Sequence, residues 1–226
     1  MKRKVKIAID ILMFLSFLHL MGYHPGAGLY SHGIVGIALF VLFIVHHLLN
    51  LGWYRALPKG RHPFERSAVI ALDFIFLVDM VLMAVSSVMM SELVFAFSPV
   101  QSTQLGRDLH VGSTSWGFLI MALHVGLHFD GKLSKLGRKL NGKCAGAVYK
   151  LLGVALFLLG IWSLFDSRLA GKLVLKTSWD APPKLFHLEL FAIVAAACVL
   201  VHWALSFNRW LKQGRNLQQT NQSINR

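Results

Sequence analysis

Residues 110–124 read HVGSTSWGFLIMALH, and residues 32–46 read HGIVGIALFVLFIVH. Each stretch begins and ends with a histidine, fourteen positions apart, and most residues between them are apolar or small. Fourteen residues make four turns at the 3.5-residue period of a helix bundle, so both histidines of a pair face the same way. A rise of about 1.5 Å per residue separates them by about 21 Å, which fits inside a hydrocarbon core of about 30 Å. These stretches therefore predict two membrane helices, each carrying histidines at two depths.

Two such helices together supply four imidazoles at two levels of a bilayer. Ionisable side chains inside a membrane are costly and usually mark function, which favours a ligand role over a packing role for these histidines. A haem iron held by one histidine above and one below is a common arrangement in b-type cytochromes. The pattern predicts two non-covalent b haems, with His32, His46, His110 and His124 as metal ligands.

The composition indicates a membrane protein without a separate water-soluble domain. Hydrophobic residues make up 55% of the 226 residues and charged residues only 15%. Long apolar runs predict an all-α polytopic bundle of six transmembrane helices. The predicted spans are Val5–Tyr23, Tyr30–Trp53, Ala68–Phe97, Leu109–Phe129, Ala145–Leu164 and Leu185–Phe207. We divide the chain into a four-helix di-haem core over 1–130, an additional helix pair over 131–210 and a polar cytoplasmic tail over 211–226.

The strong positive charge is explained by membrane topology, so a nucleic-acid partner is not needed. Of 23 lysines and arginines, eighteen lie at the amino terminus, after the sixth span, or between spans two and three or four and five. The positive-inside rule then places both termini in the cytoplasm. Spans two and four run in the same direction, which pairs His32 with His110 near the outer face and His46 with His124 near the inner face. The other connections hold only five cations: Arg107, Arg168, Lys172, Lys176 and Lys184.

A weak internal repeat leaves some ligand assignments open. The stretches His32–Asn50 and His110–His128 superimpose without gaps, so His128, one turn after His124, is an alternative ligand or a residue near a haem propionate. A looser third copy places His187 and His202 fifteen residues apart, which turns the second histidine away from the first. Either could replace a predicted ligand, but both rank behind the two closer pairs.

The helix before each histidine pair carries an aspartate shortly after its basic start. These are Asp10 after Lys6 and Asp73 after Arg66. A metal-binding histidine usually donates its second ring N–H to an acceptor, which orients the ring and increases its basicity. We predict that one of the aspartates orients an inner-haem histidine, the alternative being a simple ion pair with Lys6 or Arg66.

Other metal chemistries and other functions are less well supported. Cys144 and Cys198 are isolated, and no C-x-x-C-H sequence is present, so neither a thiolate cluster nor covalent haem attachment is predicted. One rival is a proton-coupled transporter that uses intramembrane histidine and aspartate, including Asp73 and Asp79. Another is a small membrane redox enzyme that acts on a diffusible oxidant.

The residues also resemble a known family. Leu29–Trp53, with His32, Gly36, His46, Asn50 and Trp53, is similar to the membrane domain of flavinylation-associated cytochromes, and the His110–His128 copy, ending in His-Val-Gly-Leu-His, is similar to it too. The resemblance covers roughly the first 130 residues. More distantly, the spacing resembles that of b-type cytochrome subunits of respiratory dehydrogenases and of the cytochrome bc complex. The resemblance implies a bacterial inner-membrane cytochrome that passes electrons between a quinol pool and flavin or haem carriers outside.

The predicted activity is electron transfer across the bilayer, because iron with two histidine ligands has no open position for oxygen chemistry. We expect a quinol or a membrane dehydrogenase as donor, a quinone as a possible second cofactor, a periplasmic flavoprotein or cytochrome as acceptor, and membrane lipid around the helices. Arg107 is placed to pair with outer haem propionates, and Arg55 and Lys59 with inner ones; an interfacial position explains each of these cations equally well. The outer connection Phe165–Lys184 is predicted either to dock the acceptor or to form a lid over the outer haem.

Overall fold

The computed structural model shows an all-helical chain, as the apolar periodicity predicts. It describes residues 2–23, 28–60, 63–90, 103–140, 142–176 and 182–224. Over these residues the helices, in chain order, are α1 Lys2–Met21, α2 Leu29–Leu49, α3 Leu51–Ala56, α4 Phe64–Met90, α5 Gln104–Lys139, α6 Lys143–Asp166, α7 Leu169–Leu173 and α8 Phe186–Ile224. Each of the six predicted spans overlaps a long helix, and residues 91–97 of the third lie outside the described residues.

Local chemistry accounts for several helix ends. At Asn50 the predicted second span is divided into α2 and α3. The side-chain amide of Asn50 donates to the His46 carbonyl, and its backbone N–H donates to the same carbonyl. This side chain therefore satisfies the last carbonyls of α2 and ends it four residues earlier than predicted. α5 begins after Thr103, whose hydroxyl accepts from the Gly106 N–H at 3.0 Å. α8 continues through Ile224, so the polar segment after 210 extends the last helix.

In the described part of the chain, four helices are long and apolar enough to cross a membrane: Leu29–Leu49, Glu65–Met90, Lys143–Asp166 and Phe186–Arg215. The other two long helices contain more polar residues. Lys4, Lys6 and Asp10 interrupt the apolar sequence of α1, and α5 carries histidines, serines and a threonine within its apolar part. Many large apolar side chains, such as Leu151 and Leu158 on α6, lie on the surface of the bundle, which is compatible with contact to lipid.

Close helix packing divides the molecule into an α1–α2 hairpin and a larger group formed by α4, α5, α6 and α8. Small residues allow the tightest approaches: a Cβ at Gly160 would collide with Ala196 between α6 and α8. Phe17 of α1 stacks on the fully buried Phe118 of α5, with ring centroids 6.4 Å apart, and joins the hairpin to the rest. A cavity lies between α2, α4 and α5, with Phe17 among the residues that line it.

Candidate functional site

The cavity beside α2 has His32 and His110 among its lining residues. Its volume is about 400 Å³, within the range of cofactor pockets. Side chains from α1, α2 and α4, among them Phe17, Phe40 and Met83, make most of its wall apolar. We call this cavity with its two histidines the cavity site.

The two histidines of the cavity site lie at a separation that suits one iron between them. Their ring centroids are 6.2 Å apart, and the ring planes are inclined by 76°. With a metal–nitrogen bond of about 2 Å and a ring centre about 1 Å behind the nitrogen, imidazoles on opposite sides of one metal have centroids about 6 Å apart. The predicted pairing of His32 with His110 is therefore compatible with the structure.

Hydroxyl groups surround the second nitrogen of His110. Ser87 Oγ lies 3.3 Å from His110 Nδ1 and donates its own proton to the Met83 carbonyl at 2.7 Å. Ser86 Oγ also donates to that carbonyl and lies 3.5 Å from Nδ1. Because both hydroxyl protons go to a carbonyl, the serine oxygens can accept from Nδ1–H, which leaves Nε2 of His110 available as a ligand.

Cations of the segment after α6 lie along the cavity site. Arg168 and Lys172 line the cavity together with Pro182, Pro183 and Phe186. Burial, and secondarily the charge of Arg168, lowers the pKa of Lys172 below its ordinary value. An anion placed beside Arg168 and Lys172 would offset the free-energy cost of burying the charged Lys172 side chain. Arg107, the cation predicted for this role, is exposed and is not among the lining residues.

The alternative in which the outer connection forms a lid is compatible with the structure, because part of that connection lines the cavity. α7 and the two prolines belong to the predicted segment Phe165–Lys184. Residues 177–181, which include Trp179 and Asp180, lie outside the described residues.

The other histidine pair is oriented by carboxylates. His46 Nδ1 donates to Asp10 Oδ1 at 2.8 Å, and His124 Nδ1 donates to Asp73 Oδ1 at 2.8 Å. The hydrogen bond predicted for one aspartate is thus present at both positions, in equivalent places of the repeat. Donation of Nδ1–H to a carboxylate makes Nε2 the nitrogen that can bind a metal. Nε2 of His124 lies 3.2 Å from His128 Nε2, a contact that a metal bound to His124 would replace. We call His46, His124, Asp10 and Asp73 the aspartate site.

Among the described residues, the ion pairs found for Asp10 and Asp73 are with His46 and His124, not with Lys6 or Arg66. Lys6 Nζ instead donates to Asn50 Oδ1 at 3.0 Å, and Arg66 donates to the backbone carbonyls of Lys59 and Ala56. Arg66 therefore stabilises the chain after α3.

Asn50 and His128, which occupy the same position in the two copies of the repeat, each lie near Nε2 of the histidine four residues earlier. His128 Nε2 lies 3.2 Å from His124 Nε2, and Asn50 Nδ2 lies 3.5 Å from His46 Nε2. His128 interacts electrostatically with both His46 and His124, which places the two ligand candidates at the same end of the bundle. No ring contact between His46 and His124 is found among the described residues, so their predicted pairing is not established by direct contact.

A second pocket, of about 460 Å³, opens beside the aspartate site. His124, His128 and Asp73 line it together with Arg66 and Arg209, whereas Arg55 and Lys59 do not. This pocket is more polar than the cavity site and more open to the surface. Sequence reasoning missed Arg209, because it lies more than eighty residues after His124 in the chain.

The third histidine pair is placed differently from the first two. His202 donates from Nδ1 to Asp130 at 2.8 Å, and its Nε2 is 3.2 Å from the Tyr149 hydroxyl. Both ring nitrogens thus have protein partners. His187 packs against Gly22, where a Cβ would come within 2.9 Å of its Nε2. Neither histidine lines either pocket.

The Asp130 cluster was not foreseen from the sequence. Arg209 donates to both carboxylate oxygens of Asp130, at 2.8 and 3.2 Å, so Asp130 joins α5 to α8 through Arg209 and His202. This network and Tyr149 bind His202 to α5 and α6, and two of its members, Asp130 and Arg209, line the second pocket.

Protein side chains alone do not form a bare metal-ion centre in the described part of the chain. No group of three or more histidine, cysteine, aspartate or glutamate side chains there is arranged to hold an ion. Cys144 and Cys198 are free thiols. A haem, which brings its own four equatorial nitrogens, needs only two protein ligands.

Comparison of the chain with protein-family models, with curated proteins and with solved structures finds no match. The function is therefore inferred from the two histidine sites themselves.

Proposed function

We propose that the protein is a b-type cytochrome that transfers electrons across a membrane through two haems. His32 and His110 would ligate the first, and His46 and His124 the second. The observation that carries the proposal is the cavity site, where two imidazoles with centroids 6.2 Å apart lie on the walls of an apolar cavity.

The cavity site fits the separate parts of a haem. Its apolar wall suits the macrocycle, and Arg168 and Lys172 suit the two propionates. Gly36 lines the cavity, and a Cβ added there would meet no atom within 4 Å, so the glycine leaves open space on the α2 side. His110 would be held in its ligating tautomer by the serine oxygens.

The aspartate site offers the same ligand type with different support. Asp10 and Asp73 would fix the orientation of His46 and His124 and increase their basicity. We prefer His124 to His128 as a ligand because its Nδ1 is bonded to a carboxylate, as is that of His46. When bound, the two haems supply one-electron iron chemistry without an open coordination position.

The proposal includes six membrane spans with cytoplasmic termini, in which α1 and α5 cross together with the four more apolar helices. The distribution of lysine and arginine supports this orientation. It places the aspartate site toward the cytoplasm and the cavity site toward the periplasm of a bacterial inner membrane. A quinol or a membrane dehydrogenase would donate, and a periplasmic flavoprotein or cytochrome would accept; the resemblance to flavinylation-associated cytochromes supports this assignment.

The first test is haem stoichiometry. A pyridine haemochrome assay on the purified full-length protein should give two b haems per chain. His110→Ala should remove the cavity-site haem or convert it to high spin, and His124→Ala should do the same at the aspartate site. His187→Gln is the matched control, because this exposed histidine lines neither pocket, and it should retain both haems.

The outcomes separate the alternatives. One haem per chain would contradict the second ligand pair. Two low-spin haems in His124→Ala would contradict it too and would point to His128 or His202 as the ligand. A colourless protein that moves protons would support the transporter alternative, for which the buried carboxyl of Asp79 is the favourable observation.

A further inference from the structure

A buried carboxyl lies between the two proposed haem sites. Asp79 of α4 is 9% exposed, and its Oδ2 has no hydrogen-bond partner among the described residues. Gly117 of α5 makes room for it: a Cβ there would collide with Oδ2 and would lie 3.2 Å from the Met83 Cε. The fit between Asp79 and Gly117 therefore holds a carboxyl group at a fixed place in the bundle.

The surroundings of this carboxyl favour its neutral form. Met80 and Met83 on α4 and Phe118 on α5 are buried around it. Burying an ionised carboxylate without a partner is very unfavourable, so the group binds a proton unless a positive charge lies near.

Titratable side chains on the neighbouring helices lie toward the two ends of the bundle. On α5 they are His110 and His124, and on α4 the nearest is Asp73, bonded to His124. α1 carries Asp10 at one end and His19 near the other, and α8 carries His187 and Glu189 at one end and His202 at the other. Among the described residues, none of these side chains bonds to Asp79 Oδ2.

Gly117 is seven residues from each of His110 and His124. At about 1.5 Å per residue, Asp79 is therefore about 10 Å along the helix axis from either ligand. A ferric haem centre carries one more positive charge than a ferrous one. At this distance inside the protein, the extra positive charge of ferric iron stabilises the ionised carboxylate. It lowers the proton affinity of Asp79 about tenfold.

We propose that Asp79 couples proton binding to the oxidation state of the two sites, an inference that rests on the proposed function. In the haem-loaded protein, a hydroquinone-class donor would give one electron to each of the two ferric irons and release its two protons to water, and on reduction Asp79 Oδ2 would take up one proton from water. On reoxidation the electrons leave for the acceptor and the proton returns to water. Asp79 is thus a residue that tunes the potentials without touching either iron.

The test is a spectro-electrochemical titration of the haem-loaded protein at several pH values. In the wild-type protein the midpoint potentials should fall as pH rises, and Asp79→Asn, which keeps the side-chain shape, should remove that slope over at least one pH unit. Asp108→Asn is the matched control: Asp108 lies near the exposed start of α5, bonded to Gln104, and its loss should leave the slope unchanged.

Infrared difference spectra between the oxidised and reduced wild-type protein provide a second readout. The carbonyl stretch of a protonated carboxylic acid should increase on reduction and be absent in Asp79→Asn. Two haems with an unchanged slope in Asp79→Asn, or no carboxylic-acid band in the wild type, would overturn the inference and leave the proposed function intact. A protein without haem in the prior stoichiometry assay would overturn both.

Discussion

The cavity site and the aspartate site each contain a pair of histidines, but the surroundings of the two pairs differ. His32 and His110 line an apolar cavity, where the second nitrogen of His110 faces neutral serine hydroxyls. His46 and His124 each donate to a carboxylate, and His124 with its partner Asp73 lines a polar pocket. Hydrogen bonding and burial tune an iron centre as much as its direct ligands do. Two haems held at these sites by identical ligands would therefore differ in redox potential.

The difference sets the expected order of potentials. An apolar environment disfavours the extra positive charge of ferric iron, and a histidine that donates to a carboxylate favours it. The aspartate site should therefore have the lower midpoint potential and the cavity site the higher. In the proposed orientation, electrons would pass from the cytoplasmic to the periplasmic end.

The largest expected effect comes from filling the cavity site. Gly36→Leu places a branched side chain in the space beside α2, so we expect loss of the higher-potential haem and retention of the other. The haemochrome assay should fall from two haems to one. Gly52→Leu is the control, because Gly52 also has open space around it but does not line the cavity. Retention of both haems in Gly36→Leu would show that the cavity is not a haem pocket.

A smaller effect should follow from removing either carboxylate of the aspartate site. Asp10→Asn or Asp73→Asn makes the bonded histidine less basic and so destabilises ferric iron. The lower midpoint potential should rise by on the order of 60 mV, the one-electron equivalent of a tenfold change in relative affinity. Redox titration monitored by absorbance measures it. A shift of the higher-potential haem instead would reverse our assignment of the two sites.

The smallest expected effect concerns the neutral partner of His110. Ser87→Ala removes one oxygen beside Nδ1 and leaves Ser86 in place. Because a hydroxyl carries no net charge, the cavity-site potential should move less than the aspartate-site potential does in Asp73→Asn. The same titration provides the measurement. A larger shift than in Asp73→Asn would mean that the contrast between neutral and charged partners does not control the potentials.

Features that depend on spacing along one helix could be predicted from the sequence. The helical character of the six long apolar segments and the placement of His32 beside His110 agree with the structure. Asp10 and Asp73 could be proposed because they occupy matching positions before the two histidine helices. The exact end of α2 could not, because it depends on the side chain of Asn50 turning back onto the His46 carbonyl.

Contacts between distant segments could not be predicted in the same way. Nothing in the local sequence indicates that Arg168 and Lys172, about sixty residues after His110, line the cavity in the place expected for Arg107. His202 has an apolar neighbourhood similar to that of the other histidines, but Asp130 and Tyr149 occupy both its nitrogens.

By itself, the sequence determined an all-helical, membrane-compatible chain with two histidine pairs of equal spacing and an aspartate available to each half of the repeat. Regular helix geometry translates sequence distance directly into direction and depth, so these features needed no tertiary information. Only the tertiary structure decided which side chains surround each pair. It surrounds one pair with an apolar cavity and serine hydroxyls and the other pair with two carboxylates, and it packs Asp79 against Gly117 between the two pairs. These contacts join helices that are far apart in sequence, and such packing depends on the shapes of all the side chains together.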